Sequence, residues 1–189
     1  MRNTRTPHSG PALTPADRVT LTRAALGAVC AVLVALGLSG VLPARSWALF
    51  LVAAVAALLD AVDGAVGRRT GTATRRGARW DMETDAALLA VLSIGVAPWA
   101  PWALGIGAAR YLFWFGARVR PAWRAPLPSS RSRRVVAGLQ AAALVTALAP
   151  FLPLWVGQSL TAPALALLVV SFGRDIGTLE RRARHRVRN

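Results

Sequence analysis

Five of the eight acidic residues lie between positions 60 and 85, and four of these are aspartates with regular spacing. Asp60 and Asp63 are three residues apart, and Asp81 and Asp85 are four residues apart. On a helix, each of these two pairs projects from one face. Glu83 lies about 200° around the helix from Asp81, at 100° per residue, and is interpreted as non-catalytic. A short arginine-rich loop joins the two pairs, so the four aspartates are expected to converge.

Four converging carboxylates would repel one another, and each costs several kcal/mol if it is ionised and unpaired in an apolar environment. Two hard divalent cations such as Mg²⁺ or Mn²⁺ would neutralise them, since these ions take oxygen ligands and organise phosphate substrates. Gly64 and Gly67 lack side chains, which lets a diphosphate or another helix approach the backbone closely. The alternative is helix capping, because Asp81 and Asp85 lie near a first helical turn, where acids are favoured. Capping does not account for the glycines or for Arg68.

The chain as a whole is too apolar for a typical soluble domain, in which about a quarter of the residues are charged. Of the 189 residues, 54% are hydrophobic and 16% are charged, and the mean hydropathy is +0.44. The net charge is nevertheless +15, and all 23 basic residues are arginine. Between Arg134 and Arg174 lie 39 residues without a charged side chain. This pattern predicts a polytopic membrane protein, and it argues against nucleic-acid binding because apolar segments separate the arginines.

We predict an all-α fold with six transmembrane helices, separated by breaks that contain proline or glycine. Residues 1–16 are predicted to be a disordered tail, residues 17–175 a transmembrane domain, and residues 176–189 a basic cytoplasmic tail. All arginines except Arg45 and Arg110 fall on one side of the apolar segments. The positive-inside rule makes that side cytoplasmic, together with both termini. The predicted segments are 22–42, 46–66, 81–97, 102–118, 134–152 and 158–172.

The spacing of the aspartate motif resembles that of a known enzyme family. From Asp60 to Asp85 the chain reads D-x2-D-G-x2-G-R-x8-G-x3-D-x3-D. The CDP-alcohol phosphatidyltransferases have D-x2-D-G-x2-A-R-x8-G-x3-D-x3-D, so Gly67 replaces the usual alanine. The segment Asp17-x2-Thr20-x2-Arg23 is similar to the N-x2-T-x2-R pattern at the start of that family's first transmembrane helix, with aspartate replacing asparagine. The resemblance covers about residues 17–174.

This resemblance implies transfer of a phosphatidyl or related phosphoalcohol group from a CDP-alcohol, such as CDP-diacylglycerol, to an acceptor hydroxyl, with release of CMP. Such enzymes serve phospholipid biosynthesis. Asp60, Asp63 and Asp81 would hold two Mg²⁺ or Mn²⁺ ions. Asp85 would contribute to the metal site and deprotonate the acceptor. The residues implied to bind the CDP-alcohol are Thr20, Gly64, Gly67, Arg68, Thr74 and Gly77.

The expected location is the plasma membrane, with the active site at its cytoplasmic face. The absence of lysine and the abundance of alanine and arginine suggest a GC-rich bacterial genome. The resembled family usually forms homodimers, and small residues such as Gly105 and Gly107 would permit close helix packing.

The acceptor alcohol is left open, although several arginines favour a phosphorylated one. Arg110 lies within the fourth predicted span, where an arginine is costly and usually faces a cavity or a partner. It contacts either the acceptor or a motif aspartate, or else it forms a structural pair or extends to the membrane surface. The run after position 130 binds either an acceptor phosphate or anionic lipid headgroups. The candidate acceptor-binding residues are Arg110, Arg131, Arg133, Arg134 and Arg174.

Two other functions can use an aspartate cluster in a membrane. An intramembrane prenyltransferase also binds diphosphate through aspartate-rich motifs and Mg²⁺, but it has more helices and longer motifs. A small divalent-cation transporter would need polar residues that continue across the bilayer. The outer halves of the second and third predicted helices are almost entirely apolar, which disfavours transport.

Overall fold

The computed structural model describes residues 15–70, 75–125 and 131–188. Within these ranges the chain forms six α-helices and no strand, which confirms the predicted all-α class with six helices. Short 3₁₀ turns at Pro101–Ala103 and Pro121–Arg124 lie before and after the fourth helix. The helices are α1 (Pro15–Leu38), α2 (Trp47–Thr70), α3 (Arg75–Val96), α4 (Leu104–Val119), α5 (Arg131–Ala147) and α6 (Leu154–Arg188).

The helix ends follow the turn residues of the sequence. After α1 the chain turns through Gly40, whose φ of 77° lies in the left-handed region that favours glycine. Both 3₁₀ turns begin at a proline, whose fixed φ suits a first helical position.

Two helices extend into the segments predicted as tails. The first, α1, begins at Pro15 and so includes the end of the predicted disordered tail. The last, α6, continues through the predicted basic tail as far as Arg188. That tail is rich in arginine, which has a high helix propensity, so the helix persists after the apolar segment ends.

The third helix is central in the bundle. It packs against α1, α4 and α5, and its buried residues Leu92 and Val96 belong to the main hydrophobic core. A close approach fixes its distance from α4, because a Cβ at Gly107 would lie 2.7 Å from the Cα of Ala90. Gly105 packs against Leu165 of α6. Both glycines therefore serve packing within one chain and lend no support to a dimer.

One end of the bundle is held by hydrogen bonds among its loops and the start of α6. The guanidinium of Arg45, between α1 and α2, donates to the main-chain oxygens of Ala149 and Leu152. The side-chain amide of Gln158 donates to the main-chain oxygen of Trp99 at 2.7 Å. Since α2 begins beside this end, its final turns and the first turns of α3 lie at the opposite end, together with the aspartate motif.

Two helices of the described chain are long and apolar enough to cross a membrane, over Leu21–Leu38 in α1 and Leu154–Arg184 in α6. A shorter apolar helical stretch covers Trp47–Ala61 in α2. Large apolar side chains such as Leu58, Leu112 and Val169 are exposed on different helices. An extensive apolar surface of this kind marks contact with a membrane or a partner. Six spans and cytoplasmic termini stay predictions.

Candidate active site

Three helices meet at the buried guanidinium of Arg23. This residue lies on α1, and its Nη2 is 2.6 Å from Oδ1 of Asp60 on α2. The same nitrogen donates to Oδ1 of Asp85 on α3. The first and last aspartates of the motif therefore contact one atom, although they belong to different helices.

Burial differs sharply among these three side chains. Arg23 is only 3% exposed, whereas Asp60 is 41% and Asp85 35% exposed. A guanidinium is always charged in proteins, and burying it requires anionic partners. The two carboxylates supply them, and each still has surface that a ligand can reach.

Small side chains allow the helices to approach at this point. Ala56 is buried one turn before Asp60, and Ala86 is buried beside Asp85. Small residues at helix contacts let the backbones come close together, especially in membrane bundles. The local sequence of α2 and α3 thus brings both carboxylates within reach of Arg23.

The donor chemistry of this cluster fits a divalent cation. The carboxylates of Asp60 and Asp85 converge on a positive group and offer only oxygen, which Mg²⁺ and Mn²⁺ take as ligand. Asp63 and Asp81 lie within α2 and α3, one turn from these residues, but their side chains fall outside the described part of the chain. Among the side chains that are described, no group of three acidic, histidine or cysteine residues forms a metal site.

The residues expected to bind the CDP-alcohol are only partly covered. Thr74 lies outside the described residues, as do the side chains of Thr20 and Arg68. Gly64 and Gly67 lie in the last two turns of α2. Gly77 lies in the first turn of α3. Their expected roles at the diphosphate and the cytidine stay predictions.

Four of the candidate acceptor arginines lie on α5 and α6. The Nη1 of Arg133 is 3.2 Å from Oδ2 of Asp175, so this ion pair joins the start of α5 to α6. Arg134 and Arg174 are the chain neighbours of the paired residues, and both are exposed. The side chain of Arg131 is not described. The pair thus brings two exposed arginines to the same region of the bundle.

The fifth candidate, Arg110 on α4, donates to Oε1 of Glu83 on α3. The glutamate is 61% exposed and the arginine 34%. Glu83 is interpreted as non-catalytic from the sequence, and its partner is an arginine outside the motif. Of the alternatives for Arg110, this contact fits the structural ion pair and not a contact with a motif aspartate.

An apolar groove of about 460 Å³ lies between α4 and α6. Trp123 is one of its walls: its indole stacks on Phe113 at 5.8 Å between ring centroids and donates to Glu180 at 2.9 Å. Gly116 makes room for this indole, because a Cβ there would lie 2.2 Å from the ring. The groove suits a hydrocarbon chain. Its lining residues are Gly105, Ala109, Leu112, Phe113, Trp123, Leu165, Leu168, Val169, Phe172, Gly173 and Ile176.

The central position of Arg23 does not follow from the sequence. The short pattern at the first helix includes this arginine but indicates no role for it. The available signal was its place directly before a long uncharged stretch, because an arginine there needs a partner. Asp60 and Asp85 lie on other helices, and no spacing rule connects them to Arg23.

Comparison with known proteins identifies the family. A family model described as CDP-alcohol phosphatidyltransferase matches residues 13–171, which include Arg23 and the whole aspartate motif. No curated protein and no solved structure matches the chain at a significant level. The match covers most of the chain and confirms the resemblance drawn from the motif. The chain therefore belongs to the CDP-alcohol phosphatidyltransferase family, membrane-integral, divalent-metal-dependent phosphotransferases of phospholipid biosynthesis that transfer a phosphoalcohol group from a CDP-alcohol.

Proposed function

We propose that this chain transfers the phosphatidyl group of CDP-diacylglycerol to the hydroxyl of a phosphorylated alcohol and releases CMP. The observation that carries the proposal is the meeting of Asp60 and Asp85 at Arg23. These residues are the first and last aspartates of a motif whose spacing is typical of the family. Family membership also favours this reaction over a prenyltransferase or a cation transporter.

The aspartates are proposed to hold two divalent ions, Mg²⁺ or Mn²⁺. When bound, the ions stabilise negative charge on the transferring phosphoryl group and on the leaving CMP. Partial exposure of the Asp60 and Asp85 carboxylates supports this role, because a ligand can reach them. The proposed ligands are Asp60, Asp63, Asp81 and Asp85.

Asp85 is proposed to act as the general base. It accepts the proton of the acceptor hydroxyl, whose oxygen then forms a bond to the phosphorus that carries the diacylglycerol. The bond from this phosphorus to the bridging oxygen breaks, and CMP leaves with the electron pair. Arg68 would hold the diphosphate through its bidentate guanidinium. The glycines Gly64, Gly67 and Gly77 would admit the diphosphate to the backbone, with Thr20 and Thr74 at the cytidine.

The acceptor phosphate is proposed to bind at the arginines of α5 and α6. The ion pair of Arg133 with Asp175 supports this assignment, since it draws the exposed Arg134 and Arg174 towards one region. Arg131 begins α5 and would add a further charge. Arg110 remains a weaker candidate, because it is paired with Glu83.

The membrane arrangement is proposed from the arginines. Six spans with both termini in the cytoplasm put the active site at the cytoplasmic face of a bacterial plasma membrane, where a soluble acceptor meets a lipid donor. Residues 17–175 would form the transmembrane domain, and residues 176–189 a basic tail in the cytoplasm. The protein is proposed to act as a homodimer, as is usual in this family.

CMP release tests the proposal. Purified protein is incubated with CDP-diacylglycerol and Mg²⁺ or Mn²⁺, and glycerol 3-phosphate, inositol 1-phosphate, inositol, serine and a phospholipid pool are added separately. We expect release that requires the metal, Asp85 and one phosphorylated acceptor. Release with a neutral acceptor alone would contradict the acceptor assignment. Absence of release with every acceptor, together with no binding of the CDP-lipid, would contradict the proposed reaction.

A further inference from the structure

We infer that Arg23 is a positioning residue of this active site. It holds the carboxylates of Asp60 and Asp85 at one point, and its positive charge offsets their mutual repulsion. The inference rests on the proposed function, because it treats the two carboxylates as ligands of divalent ions. It adds to the motif a residue from a third helix.

Both aspartates contact Arg23 through the same atom. A single nitrogen, Nη2 of Arg23, contacts one oxygen of each aspartate. The two carboxylates are therefore close enough to repel each other strongly if the arginine is absent. Arg23 contacts them from inside the bundle, where it is almost wholly buried, while both aspartates keep exposed surface. A cation can thus reach the carboxylates without entering the position of the guanidinium.

Arg23 differs from the other described arginines in its burial. Of the arginines whose side chains the structure describes, Arg23 alone is buried. Arg110 and Arg133 pair with acids at more exposed positions, and Arg45 donates to main-chain oxygens. A buried charge of this kind is retained at a cost in desolvation. Its position between two motif aspartates gives the cost a functional reason.

Metal binding provides the first test, with Arg23→Gln as the variant. In this variant no guanidinium competes with a divalent ion for the two carboxylates. The bound ion also relieves the repulsion between them. We expect Mn²⁺ to bind about tenfold more tightly than to the wild-type protein in calorimetric titration, while CMP release falls. The matched metal-ligand variant Asp60→Asn should instead bind Mn²⁺ more weakly. Unchanged or weaker binding by Arg23→Gln would overturn the inference.

Thermal stability provides a readout that does not involve activity. In EDTA, Arg23→Gln should melt about 5–10 °C below the wild-type protein, because two acids lose their buried partner. Saturating Mn²⁺ should restore most of this loss. Arg45→Gln is the matched control: it also removes a partly buried arginine, but its partners are carbonyl groups, so Mn²⁺ should not restore its stability. Equal restoration in both variants would contradict a specific role for Arg23.

A double-mutant cycle in EDTA separates the inference from the proposed function. Asp85→Asn removes one of the two repelling charges, so the double variant Arg23→Gln/Asp85→Asn should lose less stability than the two single losses added together. Additive losses would overturn the inference. If Arg23→Gln does not fold, Arg23→Lys keeps the charge and is expected to fold with a smaller loss. A wild-type protein that binds no Mn²⁺ would overturn the metal site, while the cycle would still decide the role of Arg23.

Discussion

At the scale of single residues, Asp60 and Asp85 share a partner, and we propose different roles for them. Both contact Nη2 of Arg23, and both are partly exposed. Asp85 is the last aspartate of the motif. The family resemblance implies that the residue at this position deprotonates the acceptor. A carboxylate that is held by a guanidinium on one oxygen has a fixed orientation, and a general base must lie within hydrogen-bond reach of the hydroxyl. Arg23 would thus orient Asp85 for the proton transfer that we propose.

Replacing Asp85 with asparagine keeps the shape of the side chain and removes its basicity. We predict that Asp85→Asn lowers CMP release by at least about 100-fold, within the range that general bases contribute. Binding of Mn²⁺ should be affected much less than turnover, because the other aspartates remain. The control is Glu83→Gln, which removes an exposed acid two residues away on α3. Turnover by Asp85→Asn near the wild-type level would exclude this residue as the base.

The candidate acceptor arginines differ in their surroundings. Arg174 is exposed beside Asp175, whereas Arg110 is paired with Glu83. We predict that Arg174→Gln raises the KM for a phosphorylated acceptor by about tenfold or more, since a charge-assisted bond to phosphate is lost. Arg110→Leu should leave that KM within about twofold of the wild-type value, with a stability loss of about 1 kcal/mol at most. Steady-state kinetics with varied acceptor check both, and a reversed ranking would place Arg110 in the pocket.

At the scale of elements, the site depends on how α3 is packed. This helix carries Asp85 and lies between α1 and α4 in the bundle. Its contact with α4 is unusually close, because Gly107 meets the backbone of Ala90 and the side chain of Ser93. A change at this distant contact would move α3 and, with it, one of the two carboxylates at Arg23.

Adding one methyl group tests the α3–α4 contact. In Gly107→Ala the new Cβ would lie 2.7 Å from the Cα of Ala90, so the helices must separate. We predict a loss of about 1–3 kcal/mol, which lowers Tm by roughly 3–8 °C. The matched control is Gly138→Ala on α5, where a Cβ meets nothing within 4 Å and stability should not fall. Equal melting temperatures for the two variants would contradict this account of the contact.

At the scale of the whole molecule, the two ends of the bundle differ in their number of arginines. The loop end with Arg45 and the end with the aspartate motif are opposite. Nearly all arginines flank the motif end, so the positive-inside rule predicts that this end lies in the cytoplasm. The exposed apolar side chains between the two ends would then face lipid.

Cysteine labelling measures this orientation. Cys30 is the single cysteine of the chain and is buried, so Cys30→Ala provides a cysteine-free background. In that background, Ser39→Cys lies after α1 at the loop end, and Ser132→Cys lies at the start of α5; both positions are exposed. We predict that a membrane-impermeant maleimide labels intact cells at position 39 and not at position 132. Both should react after lysis, and the opposite pattern would invert the topology.

The sequence by itself determined which residues share a face of one helix and where most helices end. Spacings of three and four residues placed Asp60 with Asp63 and Asp81 with Asp85, and glycine and proline marked where helices end. These signals are local, because they arise from helical periodicity and from backbone conformation. The same kind of signal failed for α6, where an arginine-rich tail continued as helix beyond its apolar segment.

Only the tertiary structure decided which charges meet. Arg23 contacts Asp85, which is 62 residues away in the chain, and Arg110 contacts Glu83 rather than a motif aspartate. Such pairs depend on which helices are neighbours, on their rotation about their axes and on small residues that set their separation. Those quantities come from packing of the whole bundle, and so no spacing along a single helix can encode them.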